Sequence, residues 1–103
     1  MTPRLTQILA MLEKTPEDAF LLYGAALEFK KDRDFKQMIA YLDRTLAVDG
    51  GYCYAYYQKG HALEELGDTD AAAAVYRDGI AAARRVGDAK AEAELSQALS
   101  IVE

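Results

Sequence analysis

The sequence predicts an all-α fold of about six helices, arranged as a short stack of antiparallel pairs. Three observations carry that expectation. Residues 53–86 hold two helix-sized apolar patterns on either side of Gly67-Asp68. Residues 19–52 carry the same pattern 34 positions earlier. No stretch alternates apolar and polar residues convincingly enough to be read as a half-buried strand.

Taken in order, Thr2-Pro3 reads as a helix start. A hydroxyl can accept a backbone N–H bond there, and proline stands where its missing N–H costs nothing. Leu5, Ile8, Leu9 and Leu12 follow as one apolar stripe. Thr15-Pro16 repeats the start signal, with Glu17 and Asp18 placed to favour the positive end of the next helix dipole. That helix should run to about Lys31, with Leu22, Ala26 and Phe29 on one face. It ends in KKDRD without a glycine, so its closing turn is expected to be looser than the one at Gly67. Asp34 and Gln37, near capping-box spacing, open a third helix to about Val48. Asp49-Gly50-Gly51 is the clearest break in the chain.

The second copy begins after that break. Tyr56, Gly60 and Leu63 share a helical face, Gly67 can end the helix in the left-handed conformation, and Asp68 can cap the next. Ala72, Val75, Tyr76, Gly79, Ile80 and Ala83 then form a stripe whose small members admit a close neighbour. Gly87-Asp88 repeats the Gly67-Asp68 device and starts a last helix. Leu95, Leu99 and Val102 should face inward there, and Glu92, Glu94, Ser96 and Ser100 outward, as a terminal cap requires.

Superposing 19–52 on 53–86 without a gap pairs Leu22 with Tyr56, Ala26 with Gly60, Phe29 with Leu63, Met38 with Ala72 and Leu42 with Tyr76. Four positions are identical: Tyr23/Tyr57, Asp34/Asp68, Ala40/Ala74 and Ala47/Ala81. Agreement in size and polarity at both arms and the turn matters more than identity. A further shift sets Ile8 under Leu42 and Leu12 under Leu46, so the first helix reads as the second half of a truncated repeat. The units are thus 1–18, 19–52, 53–86 and 87–103 within one domain.

A 34-residue helix–turn–helix unit with these large, small and aromatic positions resembles the tetratricopeptide repeat. The chain departs from the family pattern at Lys59, at Met38, and where Gly50 and Arg84 replace a closing proline. The resemblance implies a short right-handed superhelical array that binds other proteins, with the first helix of each pair lining a concave side. On that side, spacing leaves Phe20, Tyr23 and Leu27 from one pair and Tyr54, Tyr57, Gln58 and His61 from the next. These seven are the candidate partner-binding residues. Tyr23 and Tyr57, being equivalent, are expected to stand side by side, whereas Tyr41, Tyr56 and Tyr76 are expected to pack between helices. One branch of the family grips a C-terminal carboxylate with basic and asparagine side chains. The corresponding positions here lack that clamp.

Composition narrows the remaining classes. Net charge is −5 and the basic residues are scattered among acidic ones, which argues against nucleic acid and anionic membranes as partners. The single cysteine, Cys53, permits no internal disulfide and reads as a small apolar filler. No secretory signal is visible and no apolar run would span a bilayer, so a cytoplasmic protein is expected. His61, the only histidine, shares a face with Glu64 and Glu65, but two ligands are too few for a metal site. No nucleophile motif or phosphate loop occurs, so no catalytic residue, cofactor or enzymatic activity is expected. The expected partner is a protein or peptide. The alternative is a homodimer that covers the aromatic patch.

Overall fold

Five of the six helices begin at a side chain that holds the first free N–H groups. In the computed structural model, which describes residues 1–103, these helices are α1 Pro3–Lys14, α2 Ala19–Lys31, α3 Phe35–Val48, α4 Cys53–Glu65, α5 Thr69–Val86 and α6 Ala89–Val102, with no strand. Thr2 Oγ1 accepts from Leu5 N at 3.0 Å, and Asp18, Asp34, Asp68 and Asp88 accept from the third residue onward at 3.0–3.2 Å. Only α4 starts without a side-chain cap, at Tyr52. Thr15-Pro16 is not the start of α2. Thr15 closes α1, its N–H bonded to Met11 O at 3.1 Å, and Asp18 does the capping.

The turn after α2 is not looser than its glycine-bearing counterparts. Asp34 N bonds Phe29 O at 3.0 Å, as Asp68 N bonds Leu63 O and Asp88 N bonds Ala83 O at 2.9 Å. This is the same reversed helix end three times. At the left-handed position Gly67 has φ 82° and Gly87 φ 76°, and Arg33 has φ 56°. The hydrogen bonds enforce the geometry, and Arg33 adopts it without the freedom of glycine.

Each helix packs on its neighbours in sequence, and α4 also touches α6. The cores follow the repeats. Leu5, Ile8 and Leu12 meet Leu22 and Ala25; Ala26, Met38 and Leu42 meet Ala55 and Ala62; Tyr76, Ile80 and Ala83 meet Ala91 and Leu95. Small residues set the distance between α4 and α5. A Cβ at Gly60 would lie 2.1 Å from Tyr76 Cε1, and one at Gly79 2.7 Å from Tyr56 Cβ. Lys59, at a position the family keeps apolar, reaches Asp43 of α3 at 2.7 Å. Buried Cys53 is the filler expected, its thiol donating to Gly51 O at 3.3 Å.

One carboxylate is taken out of water. Glu28 is 4% exposed; it accepts from Thr2 Oγ1 at 2.8 Å and Lys31 Nζ at 2.9 Å. Those bonds, Lys31 first and Thr2 second, hold its pKa below the ordinary carboxylate value. The capping residue of α1 is thereby tied to the end of α2. No helix is long and apolar enough to cross a membrane.

Candidate functional site

The side of the stack shared by α2, α4 and α6 carries a continuous set of rings and polar groups. Period 3.6 in α4 brings Tyr54, Tyr57 and His61 to one face. Tyr54 and Tyr57 meet edge-on with ring centroids 6.2 Å apart, and Tyr57 and His61 do so at 4.5 Å. Behind them His61 meets Tyr76 at 5.9 Å. Across the groove Lys30 Nζ donates to Gln58 Oε1 at 3.2 Å, and Arg33 pairs with Glu65 at 3.3 Å. All three of Tyr54, Tyr57 and His61 are half-buried, so each keeps a surface open to a partner.

Two clefts flank this row. One, of about 370 Å³, lies towards α2 and α3 and is lined by Lys30, Arg33, Phe35 and Met38 with Tyr57 and His61. The other, of about 420 Å³, lies towards α6 and is lined by Glu94, Gln97, Ala98 and Ile101 with the same Tyr57 and His61. These two rings form the wall between the clefts. The first cleft carries Lys30 and the Arg33–Glu65 pair, and the second the carboxylate of Glu94.

One buried hydroxyl is held by a carboxylate. Tyr76 donates to Glu64 Oε2; burial, and then that bond, raise its pKa well above the ordinary phenol value. The neighbouring Glu94 carboxylate, and then burial, push the pKa of Tyr54 up to about 12. Tyr23 is raised by burial, with an opposing hydrogen bond to Gln58. His61 Nδ1 stands 3.8 Å from Glu64, while its Nε2 is buried without a partner. An orphaned ring nitrogen between two clefts is the one unsatisfied buried side-chain atom.

The seven candidates do not form one cluster. Tyr23 and Tyr57 are not ring neighbours: Tyr23 stacks on Tyr52 at 4.9 Å, and Tyr57 on His61. Gln58, bonded to Lys30 at 3.2 Å, stands beside Tyr23 instead. Phe20 is 72% exposed and lines a separate cleft with α1. Leu27 is half-buried and lines no cleft. As expected, Tyr76 is fully buried, and Tyr41 and Tyr56 are half-buried between helices. Tyr52, Phe35, Glu94, Gln97 and Ile101 were missed. The signal for Tyr52 was its place 34 residues after Asp18: a ring occupies a capping position. Glu94 was expected to face water, but it is half-buried beside Tyr54 and lines the second cleft.

Stacked antiparallel helix pairs with an aromatic groove along one side define a helical-repeat module for protein interaction. Comparison with known proteins agrees. A tetratricopeptide repeat domain protein from Salinibacter ruber, solved in solution, is 34% identical over 85% of this chain and 89% of its own, with a TM-score of 0.80. Protein BPP2914 from Bordetella parapertussis is 24% identical over 99% of this chain and 89% of its own (TM-score 0.85). The TPR2B domain of yeast Sti1, solved in complex with pHsp70, shares the fold at 19% identity over 95% of this chain and 78% of its own (TM-score 0.88). The chain matches no protein-family profile and no curated protein. It belongs to the tetratricopeptide repeat family.

Proposed function

We propose that the protein is an adaptor that binds an extended peptide or a segment of a protein partner along the groove formed by Tyr23, Tyr54, Tyr57, Gln58 and His61. The observation that carries this reading is the Tyr57–His61 wall with a cleft on each side. Two successive side chains of an extended ligand would straddle it, and Tyr hydroxyls and Gln58 would meet the backbone between them. Tyrosine gives large contact area at low entropic cost, as interface anchors do. The complex of the yeast Sti1 domain supports a peptide or protein ligand for a chain of this fold. Two helix pairs offer a small surface, so modest affinity is expected.

The test is capture from native lysate by the wild type and by a Tyr23→Ala, Tyr57→Ala, His61→Ala triple variant first shown by circular dichroism to be folded. A protein retained by the first and lost by the second is the expected result. With that partner in hand, Tyr57→Ala alone should weaken binding by about 1–3 kcal/mol. Equal capture by both proteins would remove the groove from the interaction. Capture of the chain itself alone, lost with the triple variant, would favour a homodimer that covers the rings.

A further inference from the structure

The clefts on either side of the Tyr57–His61 wall mark two junctions of α4, one with α2 and one with α6, and the junctions differ in one exchange of charge. Setting Asp88, which caps α6, on Tyr52, which starts α4, aligns Ala91 and Ala98 with Ala55 and Ala62. All four alanines are buried. The same alignment sets Glu94 on Gln58. At the first junction Gln58 is met by Lys30, whose Nζ donates to Oε1 at 3.2 Å. At the second, the residue 34 positions after Lys30 is Glu64, which accepts from the Tyr76 hydroxyl. A carboxylate stands in place of the amide, and no cation stands in place of Lys30.

Glu94 is thereby unlike the other carboxylates withdrawn from water. Six Asp and Glu residues are buried or half-buried. Asp18 and Asp88 cap helices, Glu28 and Glu92 pair with Lys31 and Arg84, and Glu64 holds Tyr76. Glu94 forms no ion pair, not even with exposed Lys90 one turn before it on α6; its neighbour is the Tyr54 phenol. An ionised carboxylate drawn out of water costs free energy until a cation meets it. The rings beside it favour a cation as well. Tyr57 lines the same cleft of about 420 Å³, with Tyr54 edge-on to it at 6.2 Å. A phenol face attracts a positive group within about 6 Å of its centre. Gln97, also in the cleft, adds an amide oxygen that accepts N–H bonds. The net charge of −5 draws cationic ligands towards the whole surface.

We infer that the cleft between α4 and α6 takes an arginine or lysine side chain of the partner segment, its charged head between Glu94 and the Tyr57 ring and its methylene stem against Ala98. Resting on the groove already proposed, this assigns the ligand's chemistry: a basic residue on the α6 side of the Tyr57–His61 wall. An acidic residue there would be repelled by Glu94, which makes the cleft selective as well as attractive. The site uses only the sides of α4 and α6 that face each other, and those helices are in contact.

Amide-resolved NMR titration tests this, with a capped Gly-Ser-Arg-Ser-Gly peptide as probe and the same peptide carrying a central lysine or glutamate beside it. The arginine and lysine peptides should shift the amides of Tyr57, Glu94 and Gln97 and saturate at millimolar concentration, and the glutamate peptide should shift none of them. Glu94→Gln keeps the shape of the side chain and should weaken the arginine peptide about three- to fivefold. Asp78→Asn removes one charge from an exposed position on α5 and should leave its affinity unchanged. Gln97→Glu places a second carboxylate in the cleft and should tighten binding by a similar factor, which keeps the test decisive should Glu94→Gln lose its circular dichroism melt. Equal shifts by the arginine and glutamate peptides would overturn the inference while leaving the groove as a site indifferent to charge. Shifts confined to other surfaces would overturn it, as would an effect of Asp78→Asn matching that of Glu94→Gln. So would the absence of any shift at about 10 mM peptide; the groove itself is judged separately, by the capture experiment.

Discussion

A glycine inside a helix normally lowers its stability by about 1 kcal/mol relative to alanine, yet α2 and α4 each contain one, and their roles differ. At Gly60 the space for a methyl group is filled by the ring of Tyr76, which is fully buried and anchored to Glu64. The ring has nowhere to move. Gly60→Ala should therefore destabilise the fold by about 1–3 kcal/mol through overpacking, despite the gain in helix propensity. At Gly24 the nearest atom would be Ile8 Cδ1 at 3.5 Å, an ordinary contact. Gly24→Ala should stabilise by about 0.5–1 kcal/mol. Urea denaturation of both variants checks the pair of opposite signs. Loss of stability at both sites would mean that the Ile8 side chain cannot accommodate even normal contact.

Among the elements, the turns are more uniform than their sequences. Gly67 and Arg33 occupy equivalent positions with the same hydrogen bonds, but only glycine enters the left-handed region without steric cost. Arg33→Gly should stabilise the protein by up to about 1 kcal/mol. The interactions forfeited are a largely exposed ion pair with Glu65 and a guanidinium 5.1 Å from the Phe35 ring. The first of these adds little in water. A higher urea midpoint is the expected reading, and a lower one would show that the Phe35 contact outweighs the backbone strain. The same comparison shows what sequence patterns reveal. Apolar spacing located every helix, and capping residues marked the starts of α1, α3, α5 and α6, since both are local and nearly invariant in their physics. The KKDRD turn was misjudged because nothing local announces an arginine held left-handed by bonds three and five residues apart. In the groove, the facing residues of α4 followed from their period. Tyr23 against Tyr52, and Glu94 against Tyr54, depended on how helices are offset, which no periodicity encodes.

At the scale of the whole molecule, α1 is the most lightly attached helix, packed mainly on α2. Glu28 is its principal polar tie, through Thr2, and titrates with consequence. Its folded pKa lies below the ordinary value, so the unfolded chain takes up the proton first as pH falls. The stabilisation is complete above the unfolded pKa and is lost as pH drops through the folded one. Between about pH 5 and about pH 3 the wild type should lose more melting temperature than Glu28→Gln, which has no carboxyl to protonate at that site. At neutral pH the variant should be the less stable of the two. Identical acid slopes for the two proteins would show that the tie to Thr2 and Lys31 does not depend on the charge.

The second repeat begins and ends at nearly the same place in space: Arg85 Nη2 reaches back to Gly50 O at 3.2 Å. A loop of chain whose entrance and exit coincide can be copied or excised without rerouting what lies on either side. In-frame duplication of 53–86 in the gene would insert one more helix pair, with its own three-ring row, and the groove would grow by a fixed increment. Heredity can thus adjust the length of this scaffold's aromatic face in steps of 34 codons, leaving both terminal helices as they are.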